Sequence, residues 1–271
     1  MSKHQVQLVK QIRKELTAFF DKAVSIYGGD DLIMELMIAR KYKTRIMFDT
    51  LKEIGVFKVD SITDISLFFP EVTNTQLQQW GLINEEGAFI LGGRYILPIK
   101  DIAGDIIALV GWHPMGGSRK YVTTPTIGFS RDTSFFNYDH AYRTSMEKWN
   151  GVVYLVEGIF DTLALRALGL PAMGNQGLEL SAFKSQMLER FTKIIALPDN
   201  DRSGMGVNPY RNKASGKDTK FIWNIPNDAV FGVLPMGIKD SDDFVNDFDC
   251  FEDLVKLQSA KYIRHMKEEE V

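Results

Sequence analysis

The 271-residue sequence is short of thiols, of long apolar runs and of charge of one sign. Its one cysteine, Cys250, excludes a disulfide framework within the chain. Four scattered histidines (His4, His113, His140, His265) and that single thiol cannot build a zinc ribbon or finger here. No run of about 18 apolar residues is present, so a transmembrane helix is not expected. The polar stretch from Met1 to Gln11 is followed by no signal-type apolar core, so a cytoplasmic location is expected. Net charge is only −3, from 32 Lys+Arg against 35 Asp+Glu, which removes the global basic bias of many nucleic-acid binders. The distribution is uneven: residues 1–150 hold 18 basic and 17 acidic side chains, residues 151–271 hold 14 and 18. Any polyanion bound by the acidic half would need local basic patches or metal ions to offset it.

What is present is a foldable chain. Hydrophobic residues make up 45% and charged residues 25%, enough for a sizeable core. Val6, Val9, Ile12, Leu16, Phe19, Phe20, Ala23 and Val24 recur at spacings of three and four, one face of a long helix that Gly28-Gly29 ends. Further helices are predicted over 32–40, 44–54 and 74–80. The texture then changes. Short apolar runs at 88–91, 95–99 and 106–110, punctuated by Gly92-Gly93, Ala103-Gly104 and Gly116-Gly117, predict a small β segment, with 101–105 as a hairpin turn. From Val152 strands and helices alternate: strands at 152–156, from 172, at 193–197, 220–225 and 230–234, helices at 159–168, 181–191 and 251–270. That alternation predicts an α/β, mostly parallel sheet covered on both faces. The chain thus divides into a helical region (1–80), a β and basic subdomain (81–150), an α/β domain (151–250) and a terminal helix (251–271).

The acids of the α/β region fall where they carry meaning. Glu157-Gly158-Ile159-Phe160-Asp161 follows the first buried strand. Asp199-Asn200-Asp201-Arg202-Ser203-Gly204 follows the strand at 193–197. Lys239-Asp240-Ser241-Asp242-Asp243 follows the last. Ligands of open parallel sheets bind at the carboxyl ends of strands, so the three clusters are expected to converge. An acid after a strand is often only a cap or turn former. Three converging clusters, with Gly158 and Gly204 permitting close approach, point instead to hard-oxygen ligands for Mg²⁺ or Mn²⁺ and to phosphoryl transfer.

This set, Glu157-Gly-x-x-Asp161, Asp199-x-Asp201-x-x-Gly204 and Lys239-Asp240-x-Asp242, resembles a Toprim domain. The preceding segment narrows the resemblance. Gly93-Arg94-Tyr95-Ile96-Leu97-Pro98-Ile99-Lys100-Asp101-x-x-Gly104-Asp105-Ile106-Ile107, Lys120-Tyr121-Val122-Thr123-Thr124-Pro125, Phe129-Ser130-Arg131 and Phe135-Phe136-Asn137-Tyr138-Asp139-His140-Ala141 are similar, in order, to stretches of bacterial DnaG-type primases. The resemblance covers roughly residues 76–250. It implies a primase catalytic core making short RNA primers on single-stranded DNA from NTPs. Glu157 would serve as acid/base or metal carboxylate, Asp199 and Asp201 as catalytic metal ligands, and Asp240 and Asp242 as further ligands. Arg94, Lys120, Tyr121 and Arg131 would face template and nucleotide. It further implies a stand-alone form without a zinc ribbon, of a phage or plasmid kind acting in the host cytoplasm, with a replicative helicase or single-strand-binding protein as partner. The sequence departs from the family at Gly111-Trp112-His113, where an arginine is expected, at Thr123-Thr124, and over 204–219, where Arg211, Lys213 and Lys217 make a basic stretch. Two other readings use the same residues: a Toprim nuclease with water as nucleophile, and a non-catalytic nucleic-acid-binding accessory.

Overall fold

The computed structural model describes residues 2–115, 119–177, 179–199, 225, 229–232 and 240–246. Asp201, the basic stretch over 204–219, all but Ile225 of the strand expected at 220–225 and the terminal helix expected at 251–270 lie outside the described residues. The chain divides into two compact units, residues 1–130 and 131–271. Among the described residues no helix is long and apolar enough to cross a membrane.

In the first unit α1 (Lys3–Tyr27) buries the predicted stripe: Ile12, Leu16, Phe19, Phe20 and Ala23 are inside. Ser2 and Gln5 form a reciprocal capping box at its start, which satisfies two otherwise orphaned backbone N–H groups. Helices α2 (Asp30–Arg40), α3 (Arg45–Ile54) and α4 (Asn74–Gln79) follow. Phe19 is the hub of an aromatic core, with edge-on contacts to Phe57 at 5.7 Å and Phe89 at 5.9 Å and a tilted one to Phe69 at 5.0 Å. Fully burying each such ring contributes roughly 1.5–3 kcal/mol.

Strands β1 (Tyr95–Lys100), β2 (Ile106–Trp112) and β3 (Tyr121–Thr123) make an antiparallel sheet in that order. The predicted hairpin turn joins β1 to β2. Asp101 Oδ1 accepts from the N–H groups of Ala103 (2.9 Å) and Asp105 (3.2 Å), and Gly104 takes the φ of +91° that the turn demands. The run 88–91, expected as a strand, is not one. Only Phe89 pairs, in an isolated bridge to Ile83, because turns at Gly87 and Gly92 end the extended backbone on either side.

In the second unit α5 (Tyr138–Lys148) precedes β4 (Val152–Val156), α6 (Ile159–Ala167), β5 (Ala172–Gly174), α7 (Ala182–Leu188), β6 (Lys193–Leu197) and β7 (Ala229–Phe231). All neighbouring strands are parallel, in the order β5-β4-β6-β7. Alternate residues sort to two faces. Val153, Leu155, Ile194 and Ala196 pack with Tyr138 and Ala141 of α5 and Leu188 of α7; Tyr154, Val156 and Leu197 pack with Leu165 of α6. The sheet is covered on both sides, which is why its strands read as near-continuous apolar runs. The chain leaves β4 outward to β5, then returns across it to β6. The order therefore reverses between β4 and β6, the place where open α/β sheets bind their ligands at the carboxyl ends.

Candidate active site

Each candidate acid among the described residues sits where the topology puts it. Glu157 follows β4 directly and is half-buried, and Asp199 follows β6 after Pro198. The two ends are tied together: the Asp199 N–H donates to Glu157 Oε1 at 3.0 Å. Asp161 lies in the first turn of α6, 8% exposed. Its Oδ1 accepts from the Asp242 N–H at 3.1 Å, so α6 holds the short 3₁₀ helix Ser241–Asn246 that carries the last acidic cluster. Two bonds thus link the three clusters. Asp240, half-buried, immediately precedes that 3₁₀ helix.

Two glycines make the approach possible. A Cβ built on Gly158 would lie 2.2 Å from Asp161 Oδ2. One on Gly174, the last residue of β5, would lie 2.6 Å from Thr162 Oγ1 and 2.9 Å from the Gly158 carbonyl oxygen. Thr162 is fully buried and donates its hydroxyl to that same carbonyl at 2.7 Å. Beyond Gly174, the Asn175 N–H donates to the Val156 carbonyl at 2.8 Å and the Gln176 N–H to the Glu157 carbonyl at 2.9 Å. The turn after β5 is therefore bonded to the backbone that presents Glu157.

Of the basic candidates, Arg94, Lys120 and Tyr121 belong to the first unit and Arg131 to the second. Arg94 crosses β2 over Gly111, where a Cβ would meet its Cδ at 2.8 Å. Its guanidinium donates to the Arg119 carbonyl at 2.9 Å and, at 3.5 Å, to that of Lys120. Burial first, and the Arg119 charge second, push the Arg94 guanidinium below its usual range. Lys120 and Tyr121 are exposed, with the Lys120 ammonium 5.9 Å from the Tyr121 ring. Arg131 is exposed in a 3₁₀ turn, Arg131–Thr133, whose Asp132 carbonyl accepts the Ser181 hydroxyl at the N-cap of α7.

Asp161 and Lys184 escaped the residue-by-residue reading. Asp161 stands four residues after Glu157, within a motif already visible. Lys184 is 2% exposed in α7, where a spacing of four from Leu188 puts it on the buried face. Burial holds its ammonium far below the ordinary lysine range, at about 7, against the upward pull of Asp132.

Hard carboxylate oxygens at strand ends suit a divalent cation of the Mg²⁺ type by chemistry. Among the described residues no three acidic, histidine or cysteine side chains gather as a ready-made metal cage. Asp201, a member of the expected ligand set, is outside them.

A parallel sheet ordered β5-β4-β6-β7, with acids after β4, after β6 and beyond β7, is the arrangement expected of a Toprim-type domain, and in the chain it follows a helical and antiparallel β unit. The whole has the fold of a DnaG-type primase catalytic core. It superposes on a DnaG primase catalytic domain bound to single-stranded DNA with a TM-score of 0.71 at 19% identity, covering 99% of this chain and 85% of that one. It superposes on the RNA polymerase domain of Mycobacterium tuberculosis DnaG with a TM-score of 0.69, again at 19% identity, over 93% and 83%. In sequence it is 32% identical over 165 residues to the DNA primase of Thermotoga maritima, covering 58% of this chain and 29% of that protein. The chain thus spans less than a third of that relative's length. No family model matches it.

Proposed function

We propose that this chain is the catalytic core of a DNA primase, making short RNA primers on single-stranded DNA by metal-dependent nucleotidyl transfer. The observation that carries the reading is the pair of hydrogen bonds, Asp199 N–H to Glu157 and Asp242 N–H to Asp161, that gathers three acidic clusters at the switch point of a primase-core fold. In the reaction a 3′-hydroxyl oxygen bonds to the α-phosphorus of an incoming NTP, the bond to pyrophosphate breaks, and the hydroxyl proton leaves. In this reading Glu157 takes that proton or acts as a ligand. With Asp199, Asp201, Asp240 and Asp242 it would hold a divalent cation, Mg²⁺ or Mn²⁺, which when bound offsets charge on the phosphates and acidifies the attacking hydroxyl. Arg94 positions the 119–121 edge, where Lys120 offers charge to phosphate and Tyr121 a ring on which a base can stack. Arg131 adds a cation to the unit that carries the acids. A helicase or single-strand-binding protein is the partner class this reading implies.

The test is incubation with single-stranded DNA, NTPs and Mg²⁺ or Mn²⁺. Short RNA chains dependent on template and metal support the reading. Cleavage of labelled DNA with no NTP incorporation assigns the same carboxylates to a nuclease, and neither product leaves a binding protein.

A further inference from the structure

The turn after β5 is bonded to the Glu157 backbone, and something must hold that turn. Asn175 is 1% exposed and uses every polar group it has. Its side-chain Nδ2 donates to the carbonyls of Gly177 (2.7 Å) and Glu179 (2.9 Å), and its backbone N–H donates to Val156. Its two oxygens, backbone O and side-chain Oδ1, both accept from Lys184 Nζ, at 2.5 and 2.8 Å. The next residue, Gln176, is held at φ +61°, a left-handed conformation that residues with a side chain seldom adopt. Among the described residues, the buried Nε2 and Oε1 of Gln176 have no hydrogen-bond partner. A strained turn with an unmatched amide persists only where its surroundings over-determine it.

We infer that Lys184 is a positioning residue for the candidate active site: its buried amine clamps Asn175, and the clamped turn fixes the Glu157 backbone through the Gln176 N–H. This rests on the reading of Glu157 as a site carboxylate. The amine is well suited to the task. Two acceptors face it, so it needs two N–H donors, which it has whether charged or neutral. The face of Phe135 lies over it, 4.9 Å from Nζ to the ring centroid, and the charges of Asp132 and Arg131 in the 3₁₀ turn Arg131–Thr133 act on it in opposite senses. The amine's bonds at 2.5 and 2.8 Å both go to Asn175, and through it to the turn. A group that only filled the core would be aliphatic; a lysine here carries a desolvation penalty that its two bonds to Asn175 offset.

The experiment uses the full chain with Lys184→Met, which keeps the stem and removes both donors, and Lys184→Gln, which keeps two N–H donors on one nitrogen. Amide hydrogen exchange, Mn²⁺ binding and primer synthesis are measured on each, with Glu157→Gln as the reference for loss of the site. The expectation for Lys184→Met is faster exchange at Gln176 and Asn175, with Mn²⁺ affinity and kcat reduced on the order of 10-fold and the NTP KM nearly unchanged, the size of effect typical for partners that orient a ligand. Lys184→Gln should recover most of the exchange protection and the rate. Should Lys184→Met not fold, Asn175→Ala, which removes the Oδ1 that the amine bonds, is measured in its place with the same expected outcomes. Faster exchange confined to Gln176 and Asn175, with Mn²⁺ binding unchanged in a chain whose Glu157→Gln variant does lose it, overturns the inference and leaves the function standing. A Glu157→Gln variant that binds Mn²⁺ and synthesises primers like the parent overturns the functional reading instead. Unchanged exchange at Gln176 in Lys184→Met shows that the clamp is not what holds the turn, and so refutes the inference whatever the activity.

Discussion

Gly158→Ala tests the packing of the acids against each other. The backbone there is ordinary, φ −102° and ψ 164°, so alanine introduces no strain. Elsewhere such a change stabilises by about 0.4–1 kcal/mol, because the unfolded chain loses freedom. Apart from its chain neighbours Glu157 and Ile159, the side chain within 4 Å of the new Cβ among the described residues is Asp161, whose Oδ2 would be 2.2 Å away, whereas real Cβ contacts stay beyond 3.0 Å. The carboxylate must therefore retreat by about 0.8 Å, judged against that 3.0 Å limit. Its other oxygen holds the Asp242 N–H at 3.1 Å, already near the long end for such a bond, so a retreat of that size breaks it. An N–H left unsatisfied costs about 1–3 kcal/mol. Gly158→Ala alone should thus destabilise by about 1.3 kcal/mol at the midpoints of those ranges, within roughly 0–2.6 kcal/mol. In an Asp161→Ala background the clash and the bond are both gone, and the same change should stabilise by about 0.4–1 kcal/mol. Urea denaturation of the four proteins, followed by circular dichroism, reads the sign reversal directly. Additivity within about 0.5 kcal/mol would refute the claim that Gly158 is kept small for the Asp161–Asp242 link.

Two further outcomes follow from other parts of the chain. Lys120→Ala should flatten the salt dependence of single-strand binding by about 0.7 in log–log slope, one phosphate contact; Arg94→Ala should do the same by releasing the 119–121 edge, and the double variant should add little more, so fully additive slopes in a filter-binding titration would separate the two residues. Lys184 also sets a pH dependence of stability. Its pKa is lowered from 10.5 unfolded to about 7 folded. Between those values the unfolded chain binds the extra proton, so stability rises with pH across that window by up to about 1.4 kcal/mol per pH unit. Denaturant titrations at pH 7 to 10 should show that rise in the parent chain and not in Lys184→Met; parallel curves would mean that the amine is not desolvated.

How much of this was legible in the sequence follows from which interactions are periodic. The stripe of α1, the strands 152–156 and 193–197 and the turn at Asp101–Asp105 are written in spacing and turn chemistry, and the structure has them. So is the placement of Glu157 and Asp199, because a buried parallel strand announces where its carboxyl end falls. The run 88–91 misled because four apolar residues between glycines satisfy a strand pattern as well as they satisfy a turn with one bridge. Helix α7 stops at Leu188, short of the expected 191, where the chain turns back to enter β6. Lys184 was hidden by its type: lysine reads as solvent-facing, and only its spacing from Leu188 on a seven-residue helix hints otherwise. The bonds Asp199 to Glu157 and Asp242 to Asp161 use backbone donors, which no side-chain pattern records.

The most direct measurement is NTP incorporation on a single-stranded template by the parent chain, Glu157→Gln and Asp199→Asn, each with Mg²⁺ and Mn²⁺. In the proposed site Asp199→Asn would remove a ligand charge, yet it keeps the backbone N–H that holds Glu157, so folding should be unchanged. The account predicts short RNA products from the parent, and from both variants a loss of at least the roughly 10–100-fold typical of removing a partner that orients a metal ligand, with intact circular dichroism spectra. Primer synthesis at parental rates by both variants would contradict it.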